Sequence, residues 1–126
     1  EWQNTRFEFL DLMDIGKVDI AQPDVGRVGG LTEALRVCDL AAERGRRIIP
    51  HCWKTGISIA ASAHLAAVTP HCPYFEFLPA ELTDSLLRQE LVKDEIELVD
   101  GKLSIPRKPG LGIEVDMDAL RRFEQD

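Results

Sequence analysis

The chain has no apolar run approaching the roughly 20 residues that span a bilayer. No basic-then-apolar leader opens it, so the expectation is a soluble, cytoplasmic protein with no membrane partner. Positive charge is also short, with 15 Lys and Arg against 22 Asp and Glu and a formal net charge of -7. A phosphate backbone needs Lys and Arg clustered on one face, so nucleic acid is not an expected partner. Cysteine is scarce as well. Cys38, Cys52 and Cys72 are odd in number and never spaced C-x-x-C, which argues against a disulfide framework and for a reducing compartment. The pairs His51-Cys52 and His71-Cys72 do not match a structural zinc pattern, because adjacent strand residues point to opposite faces. No low-complexity segment interrupts the chain, and 44% apolar residues suit a globular core.

What is present alternates between helix and strand patterns. Residues 5–15 carry Phe7, Leu10, Met13 and Ile15 between acids, which predicts an amphipathic helix ended by Gly16. Residues 18–22 read as a strand, and 31–44 as a helix with Leu31, Leu35, Cys38 and Ala42 on one stripe, stopped by Gly45. Residues 47–51 form the next predicted strand, 58–68 a small-residue helix stopped by Pro70, and 74–78 a third strand. Within that helix His64 is expected to be a helix-surface or packing residue rather than a ligand. The strand starts recur at about the length of one strand-plus-helix unit of a parallel sheet, so the fold class is α/β. After Leu78 the character changes: residues 95–99 and 102–105 flank Asp100-Gly101, a hairpin signal. Pro106, Pro109, Gly110 and Gly112 make a loop, and residues 118–123 a short terminal helix. A closed eight-fold barrel takes about 250 residues, so the chain reads as the back half of something larger.

Two chemically capable residues close the first two strands. Asp24 ends V-D-I-A-Q-P-D and His51 ends R-I-I-P-H. Parallel α/β folds build active sites at the C-terminal ends of their strands. An imidazole whose second ring nitrogen is held by a carboxylate has a fixed tautomer and a raised basicity, as proton abstraction near neutral pH requires. The plainer alternative is an Asp that caps the next helix and a surface His.

The segments D-I-A-Q-P-D-V-G-R-V-G-G-L-T-E-A, I-I-P-H-C-W-K-T-G-I, F-E-F-L-P and P-G-L-G-I-E-V follow one another at matching separations over essentially the whole chain. Together they resemble the C-terminal part of an enolase-superfamily member of the mandelate racemase subgroup, which includes the acid-sugar dehydratases. The resemblance implies the last strands, about six to eight, of a TIM-type (β/α) barrel over residues 1–79. Residues 80–126 would be an extension, with a β-hairpin, returning toward the capping domain. It implies that Asp24 and His51 form the general-base dyad after the sixth and seventh strands. Glu76, after the eighth, would hydrogen-bond the substrate carboxylate or the developing enediolate. A carboxyl can donate to an anion only when protonated. Glu1 would supply one metal-binding carboxylate, and Mg²⁺ would be the cofactor, holding the substrate carboxylate and stabilising the enediolate. The partners implied are a small-molecule carboxylate, an acid sugar or hydroxy acid, and further copies of the complete protein in a homo-oligomer.

Lys54, on the loop after His51, is a candidate contact to a substrate carboxylate or hydroxyl, with a solvated loop Lys as the alternative. Trp53 is expected to pack. The leading expectation is a Mg²⁺-dependent acid-sugar dehydratase, a lyase, in which this segment alone is inactive. A racemase or epimerase differs only in how the proton returns. A non-catalytic half-barrel acting by assembly is the reading from another class, because unpaired strand edges seek partners.

Overall fold

The computed structural model describes residues 1–124. Helix α1 (Arg6–Asp14) starts at Thr5, whose side chain accepts the Glu8 N–H. It buries Phe9 and Met13 and leaves Phe7 and Ile15 outside, so the apolar stripe is rotated from the predicted one. Helix α2 (Leu31–Glu43) is rotated in the same sense: Ala34, Val37, Cys38 and Ala41 are buried, at the i, i+3, i+4, i+7 spacing of one helical face, while Leu35 is exposed. Gly45 follows with φ +62, the left-handed conformation that stops a helix and that glycine adopts without strain. Arg44 bonds Asp14 and Arg6 bonds Glu33, so ion pairs clamp α1 to α2 at both ends.

Strands β1 (Ile20–Ala21) and β2 (Arg47–Ile48) pair in parallel, with Ile20 opposite Arg47 and Ala21 opposite Ile48. Both are shorter than their apolar runs, yet the backbone bonding continues past them. Arg47 N–H donates to Asp19 O, Ile49 N–H to Ala21 O and His51 N–H to Pro23 O, each at 3.1 Å. That ladder fixes the register up to the functional ends. Helix α3 (Gly56–Ala67) is buried over most of its surface, through Ile59, Ala60, Ala61, Ser62, Ala63 and Leu65. His64 Nε2 lies 3.2 Å from Leu111 O and ties α3 to the proline-glycine loop, the packing role expected of it.

Residues 74–78 do not form the predicted third strand. Their alternation is real, since Phe75 and Phe77 pack with Cys52, Ile59, Ala60 and Ala63 in a second core cluster. Ile48 N–H reaches His71 O at 3.2 Å, but Pro50 has no N–H to continue that edge, and Cys52 N–H donates to the Glu76 side chain at 2.9 Å. Beyond a short 3₁₀ turn (Ala80–Leu82) comes α4 (Leu86–Glu90), which periodicity does not reveal. Its Arg88 is buried, pairs with Glu95 and donates to Leu78 O at 2.8 Å. Strands β3 (Leu98–Val99) and β4 (Lys102–Leu103) form the antiparallel hairpin around Asp100-Gly101, again shorter than the flanking runs. Helix α5 (Met117–Phe123) closes the described chain, its N-cap Asp116 accepting the Asp118 and Ala119 N–H groups at 2.9 Å.

Candidate functional site

Asp24 and His51 stand opposite each other because the β1/β2 register, extended by the backbone bonds above, pairs them in the same 27-residue offset as Ile20 and Arg47. Asp24 is fully buried and His51 is 7% exposed. His51 Nδ1 lies 3.0 Å from Asp24 Oδ2. An ionised carboxylate only accepts, so His51 Nδ1–H donates and Nε2 is left as the basic nitrogen. Nε2 lies 3.4 Å from Glu1 Oε2, on a side chain that is 41% exposed.

The alternative in which Asp24 caps the next helix is not what the structure shows. Helix α2 begins at Leu31 behind Gly30, with no side-chain cap. Asp24 instead folds its own loop: Oδ1 accepts the Gly26 N–H at 2.8 Å, and its carbonyl accepts the N–H groups of Arg27 and Val28. Burial alone would push this carboxyl up. The His51 hydrogen bond, the Lys54 ammonium and the Gly26 N–H outweigh it and hold the group below the ordinary aspartate value, hence ionised at neutral pH.

Lys54 reaches back to this carboxylate, with Nζ 3.3 Å from Asp24 Oδ1. Trp53 points out and is 62% exposed, against the expected packing role. Glu76 is held by the Cys52 N–H, on the strand segment next to His51. Arg27 is the site residue that the sequence reading missed. Its Nε lies 3.6 Å from Asp24 Oδ2 and its guanidinium stacks over the Trp2 ring, 4.0 Å from the centroid. The local signal was D-V-G-R, a turn pattern that returns an Arg three residues after the Asp to the same carboxylate.

A hard cation such as Mg²⁺ takes several oxygen donors in near-octahedral array. Among the described residues no three His, Cys, Asp or Glu side chains gather to form such a site. Glu1 could serve as a single donor, and the described residues by themselves do not complete a magnesium site. An apolar groove of about 370 Å³, lined by residues including Ala63, Phe75, Phe77 and Leu103, lies between α3 and the hairpin and includes neither Asp24 nor His51. The three thiols are free, and burial pushes Cys52 up to about 11, so it is inert as a nucleophile.

The D-galactarolactone cycloisomerase of Agrobacterium fabrum is 38% identical over 123 residues, which are 94% of this chain and 32% of that protein. The arabinonate dehydratase of Saccharolobus solfataricus is 37% identical over 108 residues, 86% of this chain and 28% of that protein. The crystal structure of the 3,6-anhydro-D-galactonate cycloisomerase from Zobellia galactanivorans superposes with a TM-score of 0.87 at 38% identity, over 98% of this chain and 34% of that one. The chain therefore spans about a third of the length of the relatives it matches. The sequence pattern of the enolase C-terminal domain-like family matches residues 1–119. With the strand-end Asp–His pair in place and relatives matching nearly its whole length, the chain belongs to the enolase C-terminal domain-like family.

Proposed function

We propose that this chain supplies the general base of an acid-sugar dehydratase. His51 Nε2 removes the proton α to the substrate carboxylate, and loss of the β-hydroxyl as water follows. The observation that carries the reading is the buried 3.0 Å contact between His51 Nδ1 and Asp24 Oδ2. Asp24 holds the ring in one tautomer and stabilises the imidazolium formed on proton transfer. Glu76 hydrogen-bonds the substrate carboxylate or the enediolate, a role in which the carboxyl must supply the proton of the bond. Glu1 contributes one carboxylate to a Mg²⁺ site, and the bound ion supplies the positive charge that makes an α-proton of a carboxylate removable.

In this reading β1 and β2 are the sixth and seventh strands of a (β/α) barrel and residues 74–78 the eighth, with residues 1–79 forming barrel units. Residues 80–126 extend toward a capping domain. The complete protein works as a homo-oligomer in the cytoplasm, a reducing compartment that suits the free thiols of this chain. A cycloisomerase is the second reading, favoured by the names of two of the relatives above. Product mass separates the two, because dehydration loses one water and isomerisation loses nothing. Racemisation or epimerisation would likewise leave the mass unchanged and is read from the product's configuration.

The test of the base is exchange of the substrate α-proton with solvent deuterium in the complete enzyme. His51→Asn is expected to reduce exchange by roughly 10²- to 10⁴-fold, the usual worth of a general base. Undiminished exchange removes His51 from that role.

A further inference from the structure

The Asp24 carboxylate is held by more groups than a two-residue dyad needs. Oδ2 faces His51 Nδ1 at 3.0 Å and Arg27 Nε at 3.6 Å. Oδ1 accepts from the Gly26 N–H at 2.8 Å and from Lys54 Nζ at 3.3 Å. Lys54 leaves the backbone three residues after His51, so the loop that carries the imidazole also carries the cation that fixes its partner. Gly26 makes the approach possible. A Cβ there would stand 3.1 Å from Lys54 Nζ and 3.3 Å from Asp24 Oδ1, so both groups would have to give by a few tenths of an ångström. An ammonium paired with a buried carboxylate has one proton committed and its charge already partly met, which weakens it as an anchor for a substrate carboxylate.

We propose that Lys54 is a positioning residue for the dyad: seated on Asp24 Oδ1 in the gap left by Gly26, it turns Oδ2 toward His51 and holds the imidazole in the Nδ1–H tautomer. The inference rests on the reading of His51 as the base and deepens it, replacing a substrate contact by a role exerted through Asp24. Without the ammonium, Oδ1 keeps one N–H donor and the carboxylate is freer to rotate. Oδ2 then leaves the line of the Nδ1–H bond for part of the time.

The variants are Lys54→Met, Lys54→Arg and Gly26→Ala in the complete enzyme. Two readouts apply. In the first, kcat falls roughly 10- to 100-fold in Lys54→Met, as when a partner that orients a functional His is lost, while KM stays within about twofold. Lys54→Arg restores most of the loss because its guanidinium can take the same oxygen. A rise in KM with kcat unchanged overturns the proposal, since it marks a substrate contact. In the second readout, ¹⁵N spectra of histidine-labelled protein are recorded at about pH 9, where an imidazole is neutral. The wild type and Lys54→Arg show His51 in the Nδ1–H form, and Lys54→Met shows a growing Nε2–H share. An unchanged tautomer in Lys54→Met also overturns it.

Gly26→Ala crowds the ammonium by a few tenths of an ångström without deleting it and is expected to give a smaller tautomer change in the same direction, which keeps the test decisive if Lys54→Met does not fold. The tautomer readout needs neither substrate nor metal. A shift there alongside undiminished deuterium exchange in His51→Asn sinks the base assignment and leaves the positioning contact standing.

Discussion

Asp24 is the residue on which the site depends, because each neighbouring polar group points at one of its two oxygens. Its ordinary value is 3.8 and the fold lowers it, so the carboxylate contributes stability that is fully present above 3.8. That contribution is lost as pH falls through the lower, folded-state value. Asp24→Asn is therefore expected to be less stable than the wild type at neutral pH, with the gap closing below pH 3.8. Acid unfolding followed by far-UV circular dichroism checks this, and a gap that persists to the lowest pH contradicts it. The meeting of Asp24 and His51 is legible in the sequence, because two strand patterns at a matching offset put their last residues side by side. The contacts of Lys54 and Arg27 are not legible. They depend on how a loop turns after its strand, and the same residue types would serve equally as solvated surface charge.

The helices and the first two strands follow from periodicity and from Gly45, and the hairpin from Asp100-Gly101. Periodicity does not fix the face a helix turns inward when two faces carry apolar residues, as Phe7 and Phe9 show in α1. It also misses α4, whose five residues are too few to show a period. Residues 74–78 have the side-chain alternation of a strand without its ladder, since alternation reports burial and the ladder requires free backbone donors. Gly56 exposes a tight joint between two elements. A Cβ there would lie 2.9 Å from Val92 Cγ2 and 3.0 Å from Val92 Cβ. Gly56→Ala is expected to cost about 1–3 kcal/mol by overpacking. Paired with Val92→Ala, which removes the γ-methyls and leaves only the Cβ contact, it is expected to cost less than the sum of the two single changes, as a double-mutant cycle in urea would show.

Among the described residues the core falls into two clusters, one between α1, α2, the β1/β2 pair and one side of α3, the other between α3, residues 75–77 and the hairpin. Phe7, Ile15, Val68, Tyr74 and Leu82 stay largely exposed around them. Scattered apolar residues are ordinary, but this number on a chain of 126 favours association. Sedimentation of the isolated chain is expected to show concentration-dependent self-association, and a monomer at high concentration counts against it. Mg²⁺ titrated into the same isolated chain is expected to give no tight stoichiometric binding, since no three His, Cys, Asp or Glu side chains gather among the described residues. Stoichiometric heat would reveal a complete site within these residues.

The chain has two tryptophans close to the dyad: Trp2 is stacked on Arg27, and Trp53 lies on the loop between His51 and Lys54. Both are mostly exposed, so neither emits from a buried, insensitive setting. The protein thus carries its own optical probes where a ligand would arrive. A cation displacing Arg27 would release the stacked indole, and a substrate closing over the loop would shield the other. Occupancy of the site becomes readable as a change in intrinsic emission, without a label.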